Sequence, residues 1–311
     1  MKRAYVVFNP VAGESGDHVC PVVESHLEAA GWDFEIYETT GDERIASVVD
    51  RALEQDELDF VVAAGGDGTV AGVAGGLIGR EVPLGVVPLG TGNVFARELG
   101  IPEGTEGALE LLTGDHVLVE VDAMEVEDQY FLLNVSVGLS SSMMRDTART
   151  DKRRLGRLAY VWTGLKTLLG HQPHHFALTV DGERQTMRAA EIMIANSGAM
   201  GDPALRLSPE VKLNDGRVDV GIVQARSAVD YVEVALAVIL GRQSEARAME
   251  HLIAKQRVVV DTRSRLPVQG DGEFIGYPPI EAKVVPSAVR VVVPKKGSEG
   301  LVEGRLLGSG P

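Results

Sequence analysis

Three apolar runs in the first hundred residues each end in a glycine turn: AYVVFNPVAG (4–13), DFVVAAGGDGTV (59–70) and LGVVPLGTGN (84–93). Between and after them lie segments with apolar residues at helical spacing, DHVCPVVESHLEAAG (17–31), DERIASVVDRALEQ (42–55), TVAGVAGGLIG (69–79), NVFARELG and EGALELLTG. DFEIYET supplies a further strand. Continuous apolar strands alternating with helices predict a parallel sheet covered on both faces. Such connections bring all three glycine turns to one edge of that sheet, where α/β folds bind small molecules.

Near residue 116 the rhythm changes. HVLVEVDAMEVEDQYFLLNVSVGLSS, HHFALTVDGE, RAAEIMIANS, GRVDVGIVQA, QRVVVDT, LPVQGDGEF, IEAKVVP and AVRVVVP show period-2 alternation and predict a mostly antiparallel β domain. Two helical segments interrupt it, LGRLAYVWTGLKTLLG (155–170) and SAVDYVEVALAVILG (227–241). The expected organisation is an α/β nucleotide-binding domain over 1–120, a β-rich domain over 121–294, and a loosely ordered Gly-rich tail over 295–311.

The chain has 311 residues and a net charge of −15. Such a surface repels nucleic-acid phosphates and anionic lipid, so no general nucleic-acid partner is expected, and any membrane contact must be local and largely apolar. The single cysteine, Cys20, excludes an internal disulfide and reads as a small core residue in a reducing compartment. MKRAYVVFNP lacks the apolar stretch of a signal peptide, and YVEVALAVILG is too short to cross a bilayer. A cytoplasmic protein that touches membranes peripherally is expected.

Within GGDGTV the carboxylate of Asp67 sits among Gly65, Gly66 and Gly68, where backbone N–H groups and a helix start at Thr69 would favour an anion. A bare pyrophosphate would repel it. A divalent cation between carboxylate and phosphate makes it favourable, which points to metal-bound triphosphate and phosphoryl transfer. The same residues match a dinucleotide fingerprint, but no acidic residue follows about twenty positions on. No G-x-x-x-x-G-K-[ST] run occurs, so this is not a P-loop enzyme. The alternative is a tight strand-to-helix turn with Asp67 near the helix start.

In LPVQGDGEF, Asp271 and Glu273 flank Gly272. On one strand they would face the same side, and two close carboxylates push one pKa upward, which suits a base working near neutrality. The rival reading is a hairpin turn with solvated acids. Arg97 suits either a phosphate contact or a surface ion pair. His171, His174 and His175 have no acidic or cysteine partner nearby and read as a solvated loop. DKRRLGRLAYVWTGLKTLLG joins a basic start, Lys152 to Arg154, to an amphipathic helix that either docks on lipid or covers the β domain.

FNPVAG, GGDGTV, PLGTGNVFAREL, LNVSVGLSS, LGRLAYVWTGL, LNDGRVDV and QGDGEF, in that order, resemble the soluble diacylglycerol kinase-like lipid kinases, a family that includes sphingosine kinases and bacterial phosphatidylglycerol kinase-like proteins. The resemblance spans nearly the whole chain. It implies an ATP-binding N-terminal domain of NAD kinase/diacylglycerol kinase type and a C-terminal β-sandwich that helps accept the lipid. It implies nucleotide contacts from Asn9, Pro10, Val11, Ala12, Gly13, Thr40, the loop Gly66, Asp67, Gly68, Thr69, Val70 to Gly72, and Thr91, with Gly65 and Asn93 on the same turns. It makes Glu273 the general base, with Asp271 an assisting or metal-linked group. In LNDGRVDV it implies a structural Mg²⁺ held by Asp215 and by backbone carbonyls near Lys212 and Arg217. Many relatives carry Asp after the Asn of the GT-x-N turn, whereas this chain has Val94, so either the metal network is altered or an acid such as Asp67 substitutes.

The expected activity is therefore transfer of the γ-phosphate of Mg·ATP to the hydroxyl of a membrane lipid such as diacylglycerol. The rivals are an NAD kinase-like enzyme with a soluble substrate and a non-catalytic lipid- or nucleotide-binding relative. Edge strands in the β domain leave a homodimer open.

Overall fold

The computed structural model describes residues 1–13, 16–138, 173–199, 211–240, 242 and 246–295. The basic amphipathic segment 152–170, His171 and the tail beyond Lys295 lie outside the described residues.

The N-terminal half alternates as its apolar pattern predicts: β1 (Arg3–Phe8), α1 (Gly16–Ala29), β2 (Asp33–Glu38), α2 (Ile45–Gln55), β3 (Phe60–Gly65), α3 (Asp67–Leu77), β4 (Leu84–Pro88), α4 (Val94–Glu98) and α5 (Thr105–Thr113). Strands β1 to β4 pair in parallel in the order β2-β1-β3-β4. Every residue of β3 and β4 is buried, because helices cover both faces. Val48, Val49 and Ala52 of α2, with Val70, Val73 and Leu77 of α3, pack on one face. Val19, Val23 and Leu27 of α1, with Leu109 and Leu112 of α5, pack on the other.

The glycines of α3, which weaken a lone helix, serve packing. A β-carbon at Gly72 would lie 2.9 Å from Ile45, and one at Gly76 would lie 2.6 Å from Val49. Bare backbone at those two positions lets α2 close against α3.

The chain continues as β5 (Val117–Val126), β6 (Gln129–Phe131), β7 (Asn134–Gly138), β8 (His174–Val180), β9 (Glu183–Ala189), β10 (Glu191–Ala195), β11 (Val218–Val223), α6 (Ala228–Ile239), β12 (Met249–Ala254), β13 (Arg257–Thr262), β14 (Val268–Gly270), β15 (Glu273–Gly276) and β16 (Ile280–Val293). One antiparallel sheet runs β12-β11-β10-β7-β14-β15. It packs on β13, β8 and the first half of β16 through Val135, Ile192, Ile194, Val220, Phe176 and Val260, forming a β-sandwich. The boundary at 120/121 falls inside β5.

The long strand β16 belongs to both halves. Its beginning pairs with β13, and Val291 pairs in parallel with Leu84 of β4. Strand β5 pairs with it from Lys283 to Val293, with a register break between Val285 and Val289. The buried carboxylate of Asp122 holds that break, accepting N–H groups from Ser287 (2.8 Å) and Gly216 (2.7 Å).

His174 and His175 open β8 and do not sit in a loop. Among the described residues no helix is long and apolar enough to cross a membrane. Cys20 is half-buried, its Sγ 3.9 Å from Glu24, and burial together with that carboxylate pushes its thiol pKa up.

Candidate active site

The three glycine turns converge because β1, β3 and β4 are neighbours in the sheet. Two close approaches fix the convergence. Gly13, with φ +69°, lies where a β-carbon would come within 2.1 Å of the Leu89 carbonyl oxygen. Gly90 lies where one would come 2.7 Å from Gly66 Cα. Any side chain at either position would push the turns apart. Asn9 Nδ2 donates to Thr69 Oγ1 at 3.1 Å, and Asn9 Oδ1 accepts from the Val11 N–H, so the first turn is tied to the second. Asn93, in left-handed conformation at φ 47°, donates from Nδ2 to the Gly90 carbonyl at 2.7 Å and closes the third.

Asp67 completes the joint. Its Oδ2 accepts the Val94 N–H at 3.1 Å and its Oδ1 the Phe95 N–H at 3.0 Å, so the carboxylate holds the first turn of α4 across the gap between loops. Two peptide N–H groups offset this charge within the fold itself, beside the cation expected there, and each is a donor that α4 leaves unpaired. Val94 turns its side chain into the core, where it is 5% exposed.

A cleft of 610 Å³ runs along α3 from Gly68 past Gly72 to Gly75. Its walls include Asn9, Ala12, Gly66, Thr69 and Gly90 from the turns, Arg44 to Ser47 at the start of α2, Tyr130 and Phe131 of β6, and Asp271 and Glu273. Arg44 Nη2 donates to the Asp128 carbonyl at 2.8 Å, closing the start of α2 on the β5–β6 hairpin. The other residues expected to contact a nucleotide are not on these walls. Pro10, Val11, Gly13, Gly65, Thr91 and Asn93 belong to the same turns, while Val70 is buried in the core. Thr40 is exposed and accepts an N–H from Asp42 at 3.4 Å. Arg97 pairs with Glu103 at 2.9 Å, the surface ion pair of the two sequence alternatives.

The DGE stretch is a hairpin and not one strand. Gly270 pairs with Glu273, and between them Asp271 and Gly272 take φ 46° and 91°, as a two-residue type I′ turn requires. Asp271 and Glu273 therefore do not share a strand face, and Asp271 is not a solvated turn acid either. Its carboxylate accepts three N–H groups, from Leu132 (2.8 Å), Leu133 (2.9 Å) and Asn134 (2.8 Å), while its own N–H donates to the Asn134 carbonyl. Gln269 bonds Asn134, Ser136 and the Gly272 N–H around the same turn. Burial pushes the pKa of Asp271 to about 6 against the pull of its three donors, and the charge of Asp67 adds to the rise.

So anchored, the hairpin carries Glu273 over the start of α3. A β-carbon added at Gly68 would sit 2.7 Å from Glu273 Oε1. The exposed carboxylate thus stands at the first turn of α3, whose leading N–H groups have no partner within the helix.

Asp215 lies away from the cleft, in the turn before β11. Arg217 Nε bonds its Oδ2 at 2.9 Å, and its Oδ1 is buried with no hydrogen-bond partner. Burial raises its pKa and the charge of Asp219 adds to it; burial likewise raises that of Asp122, to which Asp215 contributes. Among the described residues no set of three His, Cys, Asp or Glu side chains converges as metal ligands. The orphaned oxygen of Asp215 is nevertheless one that a cation would fit. Asp122 was missed from sequence; its only signal was an acid inside the apolar strand VLVEVDAMEV.

A parallel α/β unit with a glycine-loop cradle, fused through one shared strand to a β-sandwich that lends a carboxylate, defines a class of two-domain kinases. Residues 3–126 match the diacylglycerol kinase catalytic domain, and residues 134–293 match the YegS C-terminal NAD kinase beta sandwich-like domain. The chain is 30% identical to the diacylglycerol kinase of Bacillus subtilis over 97% of its own length and 99% of that protein's. It is 27% identical to the diacylglycerol kinase of Staphylococcus haemolyticus over 94% of its length and 89% of that protein's. A solved structure from Bacillus anthracis, named as a candidate diacylglycerol kinase, superposes with a TM-score of 0.76 at 25% identity, covering 94% of this chain and 97% of that one. The chain belongs to the diacylglycerol kinase family of bacterial lipid kinases.

Proposed function

We propose that the chain transfers the γ-phosphate of ATP to the hydroxyl of a membrane lipid of the diacylglycerol type. The observation that carries this reading is Glu273 standing above Gly68, in the cleft that the glycine turns share. In it, the backbone N–H groups of Gly66, Gly68 and Thr69 bind phosphate oxygens, and the side chain of Asn9 orients the loop through Thr69. Glu273 accepts the proton of the lipid hydroxyl as the hydroxyl oxygen bonds to the terminal phosphorus and the bond from that phosphorus to the departing ADP oxygen breaks. Asp271 acts on position: it clamps the hairpin that aims Glu273. Mg²⁺ would neutralise the phosphates, with Asp67 and Asp271 its candidate ligands, and the orphaned Asp215 oxygen suits a second, structural ion. The names of the relatives support a lipid acceptor over a soluble one.

The test is phosphate transfer from labelled ATP to a panel of lipids in detergent micelles, wild type against Glu273→Gln. A drop in kcat of about a hundredfold or more is expected for the variant. Phosphorylation of NAD and of no lipid would replace this reading with a soluble-substrate kinase. Equal turnover by the two proteins would remove Glu273 as the base.

A further inference from the structure

Strand β15 is an edge, and the residue after Glu273 lies on its other face. Gly270 and Glu273 form one cross-strand pair, which faces Phe131 and Gly68; Gln269 and Phe274 form the next. Phe274 is 56% exposed. It meets Tyr277 edge-on with ring centroids 5.3 Å apart, and the guanidinium of Arg265 lies 4.6 Å over the Tyr277 ring. Arg263 and Arg265 are exposed on a short turn after β13. That turn is held rigid by its own bonds: the Ser264 N–H donates to Thr262 Oγ1 (3.2 Å), the Leu266 N–H to the Ser264 carbonyl (2.8 Å), and Ser264 Oγ meets His174 Nδ1 (3.0 Å). The chain carries fifteen excess negative charges, yet neither arginine is taken up by a carboxylate among the described residues.

We propose that Phe274, Tyr277, Arg263 and Arg265 form a docking lip for an anionic lipid surface. The aromatic rings enter the boundary between headgroups and acyl chains while the two guanidiniums meet lipid phosphates. Charge complementarity favours this occupant: on an acidic protein, an unpaired cationic and aromatic cluster is the local exception that an anionic bilayer requires. Size favours it too. A few anchors suffice at a membrane, whereas a stable protein interface buries about 800 Å² per partner. Continuity favours it as well, since the lip begins one residue from the carboxylate that must meet the acceptor. The purpose of the lip, but not its existence, rests on the lipid-kinase reading.

The experiment is co-sedimentation of the full chain with vesicles of phosphatidylcholine alone and of phosphatidylcholine with phosphatidylglycerol. Wild type is compared with Phe274→Ala, Phe274→Trp and the double reversal Arg263→Glu/Arg265→Glu, each checked for an unchanged melting temperature. Wild type is expected to sediment with the anionic vesicles. Affinity should fall about tenfold in Phe274→Ala and recover in Phe274→Trp. It should fall by at least about fivefold per arginine in the double reversal. Turnover of a water-soluble short-chain diacylglycerol should stay at the wild-type level in all three.

Variants that sediment like wild type while wild type phosphorylates diacylglycerol would overturn the lip and leave the kinase reading intact. Phe274-dependent sedimentation without any lipid phosphorylation would do the reverse. A wild-type dimer that Phe274→Ala dissociates, with vesicle binding unchanged, would assign the patch to a second copy and overturn the proposal.

Discussion

Asp67 carries charge into a glycine turn at the start of α3, and its two bonds to the N–H groups of Val94 and Phe95 explain why that is tolerable. Hydrogen bonds to a charged group contribute about 1.5–3 kcal/mol, so Asp67→Ala should destabilise the fold by about 2 kcal/mol, read as a lower denaturant midpoint in metal-free buffer. No loss there would mean that the carboxylate acts only through an ion. Gly68→Ala tests the neighbouring contact. The new methyl would meet Glu273 Oε1, the movable end of a side chain, so folding should survive while kcat falls with a smaller change in KM. Asp271 makes a pH prediction. Its folded-state value of about 6 lies above the ordinary carboxylate value, so between roughly pH 4 and that value the folded chain holds more proton than the unfolded. Stability from this group is greatest below that window and declines as pH rises through it. Asp271→Asn, which cannot titrate, should flatten that slope in unfolding midpoints measured at stepped pH; an unaltered slope would refute the assignment. The aspartates themselves were visible in the sequence, and their partners were not, because those lie 27 residues away for Asp67 and more than a hundred for Asp271.

Among the elements, α2 and α3 present a contest of known magnitudes. Alanine outranks glycine in a helix interior by about 1 kcal/mol, so Gly76→Ala would stabilise an isolated α3. In place, its methyl would lie 2.6 Å from Val49 Cβ and 2.8 Å from the Ala46 carbonyl oxygen, and overpacking costs about 1–3 kcal/mol. We expect net destabilisation in thermal melts, together with weaker nucleotide binding as α2 is pushed from the cleft wall it shares with Gly72 and Gly75. A stabilised variant would show that the helices can part freely. The strands that pattern reading passed over, β9 and β12, are both sheet edges, and their sequences ERQTMRA and MEHLIA expose every second residue or so. Edge strands carry too little apolar signal to stand out from a polar loop. The hairpin of β14 and β15 was hidden differently. D-G is a known turn dipeptide, but GDGE also continues an alternating run, and what decides between them is the partner strand β7, which pairs with β14 through Gln269 and Ser136.

At the scale of the molecule, β16 makes the two halves one unit, since it pairs with β4 in the α/β sheet and with β13 in the sandwich. Val291→Ala, at the buried junction, should cost about 2 kcal/mol and shift hydrogen exchange equally in β3 and in β11. Protection lost in only one half would show that they unfold independently. Alternation of apolar strands with helical segments, the position of each glycine turn and the change to period-2 patterning after residue 116 all follow from the sequence itself, because they express spacings of two to four residues that backbone geometry turns directly into strand, turn or helix. The meeting of Glu273 with Gly68, the clamps on Asp67 and Asp271, and the strand shared between domains were decided by tertiary structure alone. Each joins groups distant along the chain, and only the packed sheets bring them within bonding distance.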